Sequence, residues 1–256
     1  MSAPLVDHDT DGTARLVTPC YLSRARLKAS PEISALVRIL LGGAPLSAGT
    51  DHRLIWHIFE GDPAGKRAFL FRRETAPEQT DSACFLILSP TPPPEETALF
   101  DINTQEFAPA LKAGTALRFS LRANPTVAIS AVGSMPRLRS RIVDVVMAAI
   151  HESERGARSE LRRSAIVTAG TRWLEAQGAR NGFDLIDPSE TARIDGYQTH
   201  RLPRKAEEKG KPMTYSTLDF EGCLRVTDPA AFLTRLVAGF GRAKAFGCGL
   251  MLIRRA

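Results

Sequence analysis

Short apolar stretches of strand character, set around single helices in the same order twice, constrain the fold of this 256-residue chain more than anything else in it. CYLSRARL alternates and opens on a cysteine and a tyrosine, which suits a half-buried strand. DHRLIWHIFEG has helical spacing and stops at Gly-Asp-Pro. AFLFRRE and ACFLILSP follow as short strands, TPPPEE must be loop, and ALRFSLRANP is a further strand closed by Asn-Pro. After a basic stretch, RLRSRIVDVVMAAIHESERGARSELRRS, a helix is predicted around Ala165–Gly178. FDLIDPSETARIDGYQTHRLPR and TYSTLDFEGCLRV read as strands flanking a charged loop, KAEEKGKPM. DPAAFLTRLVAGFG opens with an Asp-Pro helix signal, and LMLIRR is a terminal strand. Two successive β-α-β-β-like sets predict an α+β architecture of two tandem ferredoxin-like (RRM-like) domains, with the boundary near Pro125–Gly133.

Composition narrows the function. Hydrophobic residues at 43% and charged residues at 24% are ordinary globular values. No run of about eighteen apolar residues is present, so no membrane-spanning helix is expected. The acidic, polar N-terminus lacks the features of a signal peptide, which points to the cytoplasm. Cys20, Cys84, Cys223 and Cys248 are scattered without a CxxC pair, so buried reduced thiols are expected rather than zinc or a redox dithiol. The net charge of +6 is uneven: residues 1–133 carry 13 Lys+Arg against 14 Asp+Glu, and residues 134–256 carry 21 against 14. A basic half on a neutral half suits a polyanion held from one side, or else a solvated Arg-rich helix.

Three clusters bear on chemistry. In GFGRAKAFGCG, Gly239 to Gly249, a helix precedes the glycines and a strand follows, the reverse of a dinucleotide fingerprint, and no Gly-Lys-Ser/Thr makes a P-loop. What remains is either a plain helix-to-strand turn or a glycine loop whose N–H groups, with Arg242 and Lys244, hold a phosphate backbone. His52 and His57 are five apart, about 140° around a helix, so they cannot share a metal. His52, just after the plausible caps Thr50 and Asp51, sits where a helix N-terminus disfavours imidazolium and favours a neutral base. It is otherwise a partly buried structural residue, and His57 lies on the polar side. Arg158, Arg162 and Arg163 form a basic face suited to the phosphates of an RNA stem. With three tyrosines and two tryptophans and no RNP motif, a hairpin ligand fits better than stacked single strands.

Several segments together resemble one family, the CasE endoribonucleases of type I-E CRISPR systems. They are YLSRARL (Tyr21–Leu27), HRLIWHIF with FLFR (His52–Phe59, Phe69–Arg72), LRFSLRANP (Leu117–Pro125), DFEGCLRV (Asp219–Val226) and GFGRAKAFGCGLMLI (Gly239–Ile253). The resemblance implies two ferredoxin-like domains that bind the repeat hairpin of CRISPR precursor RNA and cut at its 3′ base. The hairpin-bearing crRNA then stays bound and joins other Cascade subunits. It makes His52 the catalytic histidine, and it needs no metal or other cofactor. Arg158, Arg162 and Arg163 would grip the stem, while Arg242 and Lys244 would steady charge at the cleaved phosphate. Residues 1–19 become an extension, 20–128 the domain with the histidine, and 129–256 the domain with the basic insertion. Members often carry a tyrosine three residues before the histidine; here that position is Gly49, so the group assisting His52 is open. A subunit that holds a hairpin without cutting it is the alternative.

Overall fold

The computed structural model describes residues 6–44, 46–59, 69–74, 83–129, 141–151, 158–202 and 213–256. The first of these form a hairpin, β1 (Val6–His8) and β2 (Ala14–Leu16). Strand β3 (Cys20–Leu27) alternates in burial as its sequence alternates in polarity. Two helices follow it, where the sequence reading had one. The extra helix, α1 (Pro31–Leu40), is built on an unread signal: the Ser30 side chain accepts a hydrogen bond from the Ile33 N–H, Pro31 sits at the first helical position, and Glu32 lies in the first turn. Helix α2 (Ala48–Trp56) carries His52 and runs into a 3-10 turn at His57–Phe59.

Strands β4 (Leu70–Arg73), β5 (Cys84–Ser89) and β6 (Phe100–Phe107) complete an antiparallel sheet of order β4-β5-β3-β6. That is the ferredoxin-like order, with β6 a strand the sequence reading missed. Residues 90–99 are loop where the fold's second helix would lie, because three successive prolines in TPPPEE remove backbone donors. Leu54 and Ile55 of α2, Val37 of α1, and Phe71, Phe85 and Phe100 of the sheet fill one core.

Strand β7 (Ala116–Ala123) belongs to the second sheet. It pairs with strands near the chain's end, so the sheets change over at residues 108–115, ahead of the expected Pro125–Gly133. Its apolar alternation told strand from helix but could not say which sheet it joins. Next come a hairpin, β8 (Thr126–Ile129) and β9 (Arg141–Asp144), and helix α3 (Val145–His151). Helix α4 (Arg158–Asn181) is longer at both ends than the predicted Ala165–Gly178. Strand β10 (Phe183–Leu185), the short α5 (Pro188–Thr191), β11 (Arg193–Leu202), β12 (Met213–Val226), α6 (Pro229–Ala238) and β13 (Met251–Arg255) follow. Residues 203–212, most of the charged loop, lie outside the described residues. In the sheet, β12 pairs with β10 and β11 on one side and β7 on the other, and β13 closes the far edge, again the ferredoxin-like order.

Leu117, Phe119 and Leu121 of β7, Leu218 and Phe220 of β12, Trp173 of α4 and Phe232 of α6 make the second core. The N-terminal hairpin docks on it: Ala14 is fully buried there and exchanges backbone hydrogen bonds with Leu111 at 2.8 and 3.1 Å. The helix-free faces of the sheets meet over a smaller cluster that includes Leu70, Leu88, Leu250 and Leu252, and the Arg72 guanidinium crosses from β4 to donate to Ser120 Oγ of β7 at 2.9 Å. Cys20, Cys84 and Cys248 are buried and free, as expected; Cys223 is free but half-buried, because it lies on the helix-free face of β12. No helix among the described residues is long and apolar enough to cross a membrane.

Candidate active site

Helix α2 begins one turn earlier than the sequence suggested. Ser47 is its N-cap, and its N–H donates to Thr50 Oγ1 at 2.7 Å, one half of a capping box. Thr50 and Asp51 are therefore inside the helix, and His52 is in its second turn. The His52 ring is half-buried against aromatic faces: Trp56, one turn on, at 5.7 Å between centroids, and Phe69 and Phe71 at 6.4 Å, with Phe71 nearly parallel. His57, expected on the polar side, is the C-cap of α2 and also half-buried.

Asp51 is almost fully enclosed. Its carboxylate pairs with the Arg73 guanidinium of β4 at 3.3 Å, and burial nonetheless pushes its pKa up to about 6. A charged pair thus sits directly beside the histidine, and Asp51 is part of that pair rather than the cap expected of it.

The glycine loop forms a wall beside α2. Glycine is required where the loop turns back at Gly249: its φ is +92°, and a Cβ there would lie 2.6 Å from the Phe240 carbonyl oxygen. The 3-10 turn Lys244–Phe246 packs on both α2 and β4. Lys244 Nζ donates to Ala238 O, a last carbonyl of α6, at 2.5 Å, whereas Arg242 is exposed. Phe246 stacks on Tyr215 of β12 at 5.2 Å, and Tyr215 on His200 of β11 at 4.7 Å. His200 Nε2 lies 3.0 Å from Thr217 Oγ1; burial, aided by Arg122, lowers its pKa. The Tyr215 hydroxyl is buried without a hydrogen-bond partner among the described residues, and burial pushes its pKa upward.

The structure thus gathers His52, Lys244 and the residues around them where helix α2 meets the glycine loop and strand β11. Asp51, Arg73, His200 and Tyr215 were not singled out from sequence as site residues; His200 and Tyr215 become neighbours through the β11–β12 register, which no local motif announces. The arginines expected to grip a stem lie elsewhere. Arg163 is exposed near the start of α4, a helix that packs on α3, β10, β11 and α6. Arg158 and Arg162 share those first turns, with side chains outside the described residues. At Gly49, the Leu202 side chain of β11 occupies the space a residue-49 side chain would enter, 2.7 Å from the position of a Cβ.

The sequence and the fold have counterparts. The family described as "CRISPR associated protein" matches residues 20–255, and the chain belongs to that family. The CRISPR system Cascade subunit CasE of Escherichia coli is 29% identical over 204 residues, covering 78% of this chain and 88% of that protein. The CRISPR-associated endoribonuclease Cse3 of Thermus thermophilus is 30% identical over 151 residues, covering 57% of this chain and 59% of its relative. A solved structure of the CRISPR endoribonuclease Cse3 bound to 19 nt RNA superimposes with a TM-score of 0.64 at 25% identity, over 92% of this chain and 99% of the other.

Proposed function

We propose that this chain is an endoribonuclease that binds the hairpin of CRISPR repeat RNA, cuts at its 3′ base without a metal, and stays with the crRNA among Cascade subunits in the cytoplasm. The observation that carries this reading is the likeness, over nearly the whole chain, to an RNA-bound endoribonuclease, together with an imidazole held on α2 beside the glycine loop. The nucleophile is the substrate's own 2′-OH. It attacks the adjacent phosphorus as the P–O5′ bond breaks, leaving a 2′,3′-cyclic phosphate and a 5′-hydroxyl.

His52 moves one of the two protons, either removing that of the 2′-OH or supplying that of the leaving 5′-oxygen. Its aromatic surroundings limit water and fix the ring. Arg242 and Lys244 supply positive charge near the phosphorane, Arg242 freely and Lys244 at the cost of its bond to Ala238. Arg158, Arg162 and Arg163 hold the stem through its phosphates. One observation favours a second reading, a subunit that holds the hairpin without cutting: Gly49, where Leu202 fills the place of an assisting side chain.

Labelled repeat RNA incubated with the protein in excess EDTA decides between them. Cleavage is expected to persist there, and to stop when the nucleotide 5′ to the cut lacks its 2′-OH while binding remains. Activity that requires added magnesium, or cutting of the deoxy substrate, overturns the mechanism; binding without cutting under every condition supports the second reading.

A further inference from the structure

Beyond its apolar contact with the first sheet, the helix-free face of the second sheet opens into a cleft of about 540 Å³. Arg118 of β7 and Arg254 of β13 stand directly opposite each other across the ladder there. Alternation puts both on the helix-free face, since Leu117, Phe119 and Met251 point into the core. Both are exposed, and neither has a hydrogen-bond or ion-pair partner among the described residues.

Like charges directly opposite in an antiparallel pair repel, so this placement costs stability unless an anion lies between them. Of the carboxylates on this face Glu221 lines the same cleft, but it makes no ion pair with either arginine among the described residues. Arg193 is paired with Asp195 at 2.6 Å, Arg122 with Asp219 at 2.7 Å, and Arg72 is held by Ser120. Glu221 stands opposite Arg193 and Ser120 in the register rather than opposite Arg118. Counting Arg225, which stands opposite Asp184 on the same face, six arginines meet four carboxylates, and of the two in excess Arg118 and Arg254 stand opposite each other. Leu252 and Cys223, which also line the cleft, add a less polar floor.

We propose that this cleft holds the phosphodiester backbone of unpaired RNA on the 5′ side of the hairpin, with a phosphate clamped between Arg118 and Arg254. Guanidinium groups suit phosphate because each offers two parallel donors. The volume is that of a small-ligand pocket, room for a few atoms' width of single strand and not for a duplex. Cutting at the 3′ base of a hairpin leaves the retained product with its unpaired flank on the 5′ side. The inference rests on the RNA-processing reading and adds to it a second site, away from His52.

Three labelled probes test it on the intact chain: the deoxy-blocked repeat hairpin alone, the same hairpin with an unstructured 5′ oligouridylate, and a free oligouridylate. The wild type is expected to bind the extended hairpin about tenfold more tightly than the bare one, the scale of a charge-assisted phosphate contact or two. The Arg118→Gln/Arg254→Gln variant keeps its affinity for the bare hairpin, loses the gain from the extension, and binds free oligouridylate more weakly. Its salt exponent for the extended RNA falls by roughly 0.7 to 1.4, one or two single-strand phosphates. Its Tm without RNA is unchanged or higher, because the like-charge pair is gone. A wild type that gains nothing from the extension, or a variant that keeps the gain and its oligouridylate affinity, overturns the proposal. Loss of bare-hairpin binding by the wild type, with oligouridylate binding still dependent on the two arginines, removes the hairpin reading and leaves the cleft.

Discussion

The Asp51→Asn substitution puts a magnitude on the charged pair beside His52. A carboxyl whose pKa rises from 3.8 to about 6 on folding binds its proton more tightly in the folded state than in the unfolded one. Its contribution to stability is therefore fully present below about pH 4 and is lost as pH rises through 6. At about 1.4 kcal/mol per pKa unit, roughly two units correspond to about 3 kcal/mol. That figure already includes the pull of Arg73, which lowers the pKa but less than burial raises it. Asparagine has no such titration, and Arg73, with its side chain about a third exposed, can be hydrated when its partner is lost. Urea denaturation of both proteins from pH 4 to 8 isolates the effect, because every other titrating group contributes equally to both. The difference, variant minus wild type, is expected to climb by about 3 kcal/mol between pH 4 and 7 and then level off. Parallel stability curves would mean that Asp51 is not desolvated in the folded protein, and would remove the buried pair from the description of the site.

His52→Ala is expected to lower the single-turnover cleavage rate by roughly a hundredfold or more while hairpin affinity changes little, since a lost proton-transfer group costs rate and not grip; a wild-type rate would take His52 out of the mechanism. Arg162→Ala/Arg163→Ala should weaken hairpin binding and shrink its salt exponent by roughly one or two units, as measured by titration at several salt concentrations; an unchanged exponent would make that face merely solvated. Gly249→Ala should destabilise the chain by about 2 kcal/mol or more in thermal melts, because its φ of +92° and the Phe240 carbonyl at 2.6 Å leave no room for a methyl group.

Most of the fold was readable because its elements announce themselves locally. Asp228 accepts a hydrogen bond from the Ala231 N–H with Pro229 beside it, as the Asp-Pro signal of α6 suggested. The alternation of CYLSRARL became the buried pattern of β3. What escaped was of two kinds. Helix α1 has a local Ser-Pro-Glu start, legible in the sequence itself. The assignment of β7 to the second sheet was not legible at all, since it depends on which distant strands offer free edges, and alternation says nothing about partners.

The site divides along the same line. His52 was found because a helix and a resemblance pointed at one residue, and the glycine loop because glycines mark a backbone that needs them. Tyr215 and His200 were not found, although they stand in the same junction, because each is ordinary in its own strand. They stack because β11 and β12 pair in one register: His200 faces Tyr215, and Leu202, two residues further on, packs against Gly49 of α2. A one-residue slip of β11 would turn His200 to the other face and withdraw Leu202 from α2 together. The close approach at Gly49 and the aromatic stack are thus consequences of one register. The missing side chain at position 49 is best understood as a packing contact between the helix that carries His52 and the strand that carries His200.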